Sequence, residues 1–150
     1  MSEWINPVFD RTQADVDFAL SKLAEWKNNG DTDVYELKGC MTVSDINRIE
    51  GDIQYLSDHL SELYYFPHVT TKTWNMNGLP DIDDVSRIIG NVQKIITAYF
   101  QSSNAPNLPN TMLTYEQVNN LEENLYLIKQ ILEDMIVKFR ECGTFYCGEG

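Results

Sequence analysis

Residues 42–63 read Thr42-Val-Ser-Asp-Ile-Asn-Arg-Ile-Glu-Gly-Asp-Ile-Gln-Tyr-Leu-Ser-Asp-His-Leu-Ser-Glu-Leu63. Their apolar positions are Ile46, Ile49, Ile53, Leu56, Leu60 and Leu63, spaced alternately by three and four. A period of 3.5 residues puts all six on one side of a helix and suits left-handed packing at shallow angles. Thr42 stands four residues ahead of the first apolar position, with Asp45 three residues behind it. A hydroxyl at the N-cap accepts a first-turn N–H, and a carboxylate three residues on reaches back to the cap.

The same plan recurs along the chain. Thr12 with Asp15 leads into Val16, Ala19, Leu23 and Trp26. Asp81 with Asp84 leads into Val85, Ile88, Val92, Ile95 and Tyr99. Thr114 with Gln117 leads into Val118, Leu121, Leu125, Ile128, Leu132, Met135 and Phe139. Acidic first turns favour the positive end of each helix dipole. Ile89, Ile96, Ile131 and Ile136 widen the stripes of the last two units, which therefore need cover on more than one side. The stop signals are Lys27-Asn-Asn-Gly30, Pro67, the stretch Asn104–Asn110 with its two prolines, and Cys142-Gly143.

These signals predict a mainly α, four-helix bundle-like domain spanning residues 1–150. Its repeated capped helices run roughly over 12–28, 43–65, 82–102 and 115–141. Between them lie short stretches of strand-like content: Asp33–Leu37, Val69–Trp74 and Thr144–Tyr146. They suit extended linkers that pair with one another or with a neighbouring subunit.

Composition narrows the function. Eleven Lys and Arg against 23 Asp and Glu give a net charge of −12. That argues against nucleic acid, whose phosphates call for a basic face, and against an anionic lipid surface. No apolar run reaches the length of a membrane span or a signal-peptide core, so a cytoplasmic chain is expected. Three cysteines, Cys40, Cys142 and Cys147, read as thiols. The four residues between the last two do not make a zinc knuckle, though an oxidising medium could join them.

No catalytic constellation is present. Phosphate-binding glycine motifs, a His-Glu-x-x-His helix and a nucleophile elbow are all missing from the sequence. The run Asp81-Ile-Asp-Asp84 fits helix capping better than calcium. Glu50 and Glu122 hold equal places in the second and fourth units, where the third has Ile89. A dimetal bundle core would add Glu-x-x-His partners, so the two glutamates read as solvated or salt-bridged flanks of the seam, near Arg48 or Arg87. No enzyme, cofactor or metal is expected. The aromatics Trp4, Tyr64, Tyr65, Phe66, Trp74, Phe145 and Tyr146 sit in linkers and ends. They are candidates either for covering the open ends of the bundle or for an interface with a partner.

Ser44-Asp-Ile-Asn-Arg-Ile-Glu-Gly-Asp-Ile-Gln-Tyr-Leu56 resembles a helix of tail and baseplate proteins of phages that infect Gram-positive bacteria. That helix reads Asn-Arg-Ile-Glu-x-Asn-Ile-x-x-Leu and commonly follows a Trp-containing stretch and an Asp-rich turn. Trp4–Val16 looks like the lead-in, Val118–Leu125 like a second copy, and Asp84–Val92 like a degenerate one with Ser86 and Ile89 in place of Asn and Glu. The ending Gly143–Glu149 is similar to short tails of such proteins. The resemblance implies a structural subunit of a tail tip, baseplate or tail-like particle, assembled in the host cytoplasm and resident in the virion tail. Its partners would be other tail proteins and like copies of itself. It also implies that Asn47, Arg48, Glu50, Asn119 and Glu122 cap or bridge each helix to its preceding linker. The other reading open at this point is a small acidic regulator or inhibitor that binds a basic protein.

Overall fold

The computed structural model describes residues 3–29, 38–78 and 80–147, with side chains of the last helix described as far as Lys138. The protein is mainly α and bundle-like. Its helices are α1 (Gln13–Asn29), α2 (Val43–Glu62), α3 (Ile82–Ala98) and α4 (Tyr115–Cys147).

Each start lies one residue after a cap expected from the sequence. Thr42 accepts the Asp45 N–H at 3.1 Å while Asp45 accepts the Thr42 N–H at 2.9 Å. Asp81 and Asp84 exchange the same pair of bonds. So do Thr12 with Asp15 and Thr114 with Gln117. Four reciprocal boxes of this kind satisfy backbone donors that would otherwise be orphaned.

α1 ends at Asn29, within its stop signal, while the other three ends differ from theirs. α2 stops at Glu62 because Tyr64 turns left-handed, with φ 67°. The Tyr65 N–H then donates to Leu60 O and the Tyr64 N–H to Ser61 O, a Schellman-type finish. α3 stops at Ala98, well before Pro106, where Tyr99 leaves helical geometry. α4 continues to Cys147, so Thr144–Tyr146 is helical and not strand-like. Extending an established helix costs little per residue, and that outweighs weak β-propensity. Val69–Trp74 is extended but joins no sheet, and the described residues contain no strand. Asp33–Leu37 lies outside the described residues.

The core belongs to three helices. Ile46, Ile49, Ile53, Leu56 and Leu60 of α2 meet Ile88, Val92 and Ile95 of α3 and Val118, Leu121, Leu125, Ile128 and Leu132 of α4. Ile89, Ile96, Met135 and Ile136 pack half-buried around them. α1 contributes no residue to this core. Only Ala19 among its apolar residues is buried, while Leu23 is exposed and Trp26 is 58% exposed. α1 is instead fastened near its first turn. Gly39 lies so close to it that a Cβ there would come within 2.2 Å of Asp15 O.

The three core helices run parallel. Near the caps, Arg48 of α2 pairs with Glu122 of α4, and Arg87 of α3 with Glu50 of α2. At the far end, Tyr99 donates to Met135 Sδ at 3.4 Å and its ring meets Tyr65 at 5.2 Å. Contacts at both ends thus join equal heights. Parallel neighbours in sequence require long return connections. Residues 63–80 and 99–114 supply them, running back along the bundle. At about 1.5 Å per residue α2 is about 30 Å long, a span that extended chain covers easily at about 3.3 Å per residue.

Candidate functional site

Most polar residues of the recurring unit line the grooves between core helices; Ser86 is exposed. Each groove holds an extended segment, a strap, and the polar residues clamp it.

Positions counted from the caps Thr42, Asp81 and Thr114 reveal the order. The fifth is Asn47, Ser86 or Asn119, and the sixth is Arg48, Arg87 or Asn120. The eighth is Glu50, Ile89 or Glu122, and the tenth is Asp52, Asn91 or Asn124. In the groove between α2 and α4 lies the strap of residues 4–11. Its Ile5 N–H donates to Asp52 Oδ1 at 3.0 Å and its Val8 N–H to Glu122 Oε1 at 3.2 Å. The Arg11 N–H donates to Asn119 Oδ1, and Asn119 Nδ2 donates back to Arg11 O at 2.9 Å. Between α3 and α2 lies the strap of residues 69–74. Thr70 exchanges two bonds with Asn91, Trp74 exchanges two with Asn47, and Trp74 Nε1 donates to Glu50. Between α4 and α3, Asn124 donates to Pro106 O at 2.9 Å, while Leu108 and Met112 pack on the core.

Each strap therefore begins at the tenth position of one helix, and the first two end at the fifth position of the next. The ion pairs follow the same rotation. Arg48 reaches Glu122 across the first groove, and Arg87 reaches Glu50 across the second. In the third groove the Arg position is Asn120 and the Glu position is Ile89, so both charges are absent together. The bundle thus has an internal pseudo-three-fold order, degenerate in one groove.

Burial makes these pairs consequential. Glu122 is fully buried and Glu50 nearly so, which excludes the solvated reading. Glu122 receives Arg48 at 2.8 Å and Arg11 Nη1 at 2.7 Å. Arg11 also approaches Asp45 at 3.5 Å and donates to Lys38 O. Burial works against the charge on Arg48, but Glu122 and Asp45 outweigh it and raise its pKa. The bond to Glu50 raises that of Arg87. Charged partners taken out of water must remain matched, since a lone survivor is costly.

The residues singled out in the sequence separate into two groups. Asn47, Arg48, Glu50, Asn119 and Glu122 are all clamp residues. The segment each asparagine holds is not the linker before its own helix, however. Asn47 holds the approach to α3 and Asn119 the approach to α1. Trp4 and Trp74 are inward anchors rather than free surface. Trp4 packs 5.5 Å from the Tyr55 ring with Lys129 5.0 Å from its own ring centre, and Trp74 packs on the core. Tyr64, 86% exposed, Phe66 and Phe100 crown the far end, beside the half-covered Tyr65 and Tyr99. The side chains of Phe145, Tyr146, Cys142 and Cys147 lie outside the described residues.

Sequence reasoning missed Arg11, Asp52, Asn91 and Asn124. The signal available was a polar residue at the tenth place after three successive caps. Among the described residues no group of His, Cys, Asp and Glu could hold a metal ion, and no helix is long and apolar enough to cross a membrane. No family model, curated protein or solved structure matches this chain.

Proposed function

We propose that the chain is a non-enzymatic structural subunit of a phage tail tip, baseplate or phage-derived tail-like particle, acting as an assembly or adaptor piece. The observation that carries this reading is where the apolar surface remains. The conspicuous polar residues are spent inside the grooves, while apolar side chains stay uncovered, two groups of them in particular. One is the aromatic crown of Tyr64, Phe66 and Phe100. The other is α1, which presents Leu20, Leu23 and Trp26 along one side. Exposed aromatic and aliphatic clusters of this kind serve as anchors in protein interfaces. α4 adds a third feature. At 33 residues it outlasts α2 and α3, at 20 and 17, so its last turns extend past the core. The resemblance of the clamp motif to phage tail helices supplies the setting.

Light scattering on the purified chain, over a range of concentration and salt, tests the proposal. The expected result is a defined assembly of several copies that persists at high salt. The double variant Leu23→Ser, Trp26→Ser is expected to reduce it to monomer without lowering the melting temperature. A monomer at every concentration in both proteins overturns self-assembly as the role of α1. The net charge of −12 favours a second reading, a regulator that binds a basic protein. Its mark would be tight binding to such a partner that weakens steeply with salt.

A further inference from the structure

Asp52 differs from its counterparts. Asn91 and Asn124 hold the tenth positions of α3 and α4, and both donate through their amide nitrogens to strap carbonyls. Asp52 is 1% exposed and accepts the Ile5 N–H through Oδ1. Its Oδ2 is buried without a hydrogen-bond partner among the described residues. A neutral carboxyl offers one donor beside its acceptor, as an amide does, whereas a carboxylate offers acceptors only. The two asparagines therefore mark this register as one filled by a neutral side chain, and a neutral Asp52 would match them without leaving charge on its unpartnered, buried Oδ2.

We propose that residues 4–8 form a proton-linked latch over the groove between α2 and α4, closed on a neutral Asp52 and released when that carboxyl ionises. The groups facing it are Arg48 on its own helix and Glu122 and Lys129 on α4. Arg11, on the strap, is committed to Glu122 and Asp45. Burial is the largest influence and raises the Asp52 pKa to about 7. The Ile5 bond, Arg48 and Lys129 oppose the rise, and the Glu122 charge adds to it. A carboxyl freed by opening returns toward its ordinary value of 3.8. The raised value in the closed form means that closure is strongest below about pH 4, weakens as pH rises, and levels off above about pH 7. A displacement of about three pH units corresponds to a loss of up to about a thousandfold in the closing equilibrium.

Opening would lift Trp4 from Tyr55 and Lys129 and free the edge of the α2–α4 groove. His59 stacks on Tyr55 with ring centres 4.0 Å apart, so it needs its own control. The test is hydrogen exchange of the Ile5 amide in the full chain, corrected for intrinsic exchange and referenced to amides in the middle of α2 and α4. Between pH 5 and 8 its protection is expected to fall at least tenfold while the helix amides hold. Asp52→Asn is expected to abolish the fall, and His59→Gln to preserve it. Constant protection of Ile5 in the natural chain overturns the latch, and so does a fall that persists in Asp52→Asn. If that variant does not fold, the profile of the natural chain decides alone.

Discussion

Asn119 and Glu122 stand three residues apart on α4 and do different work on the same strap. Asn119 replaces a missing backbone partner by giving Arg11 both an acceptor and a donor. Asn119→Ala strips two half-buried backbone groups of their partners, at about 1–3 kcal/mol of stability. Glu122→Gln preserves shape but leaves Arg11 and Arg48 in the groove without their central anion. Breaking a buried charge set in this way costs about 3–5 kcal/mol. Urea unfolding of both variants is expected to rank Glu122→Gln as the more damaging. An unchanged unfolding midpoint in Glu122→Gln would mean that Glu122 acts through shape alone. The glutamate and the asparagine were both visible in the sequence as repeated letters. Their partners were not, because a backbone N–H carries no mark of which residue owns it. Arg11 could have been suspected only as a cation just ahead of the first cap.

Among the elements, helix starts were legible and three of the four helix ends were not. A cap is a local bargain between residues three apart, so Thr42 with Asp45 can be read directly. An end depends on what the chain does next. Tyr64 illustrates this: it occupies a left-handed position that glycine would fill without strain. Tyr64→Gly is therefore expected to stabilise the isolated protein by about 1 kcal/mol, seen as a higher melting temperature. If the exposed ring serves assembly, the same change lowers the assembled fraction. A neutral or destabilising result would mean that the ring contributes more to the fold than its exposure suggests. The surroundings of α1 were illegible for a related reason. Its three-four spacing is that of the core helices, and spacing does not say whether a stripe finds its partner within the chain or outside it.

Across the molecule, the fold class followed from the apolar period, whereas the parallel arrangement did not. Short connections would have favoured antiparallel neighbours. Here 18 or so residues intervene, and they are occupied as straps. The pseudo-three-fold order was half visible, since Glu50 and Glu122 recur and Ile89 breaks the pattern. The tenth-place residues Asp52, Asn91 and Asn124 complete it, and they become meaningful only once each is seen to be buried.

The strap of residues 4–11 also sets the order in which the protein can be completed. Ile5 waits for a partner 47 positions away, and Val8 for one 114 positions away. A ribosome would have to deliver about the first two turns of α4 before Val8 could be secured. Bundles dominated by local contacts fold quickly, and pairings between distant positions slow them. Refolding followed by stopped flow is expected to show early helix formation by circular dichroism and a later phase in Trp4 fluorescence, isolated by replacing Trp26 and Trp74 with Phe. A single phase shared by both probes would mean that the N-terminal segment is captured with the helices rather than after them. In the slower case, a segment made early waits for a helix made late and closes over it.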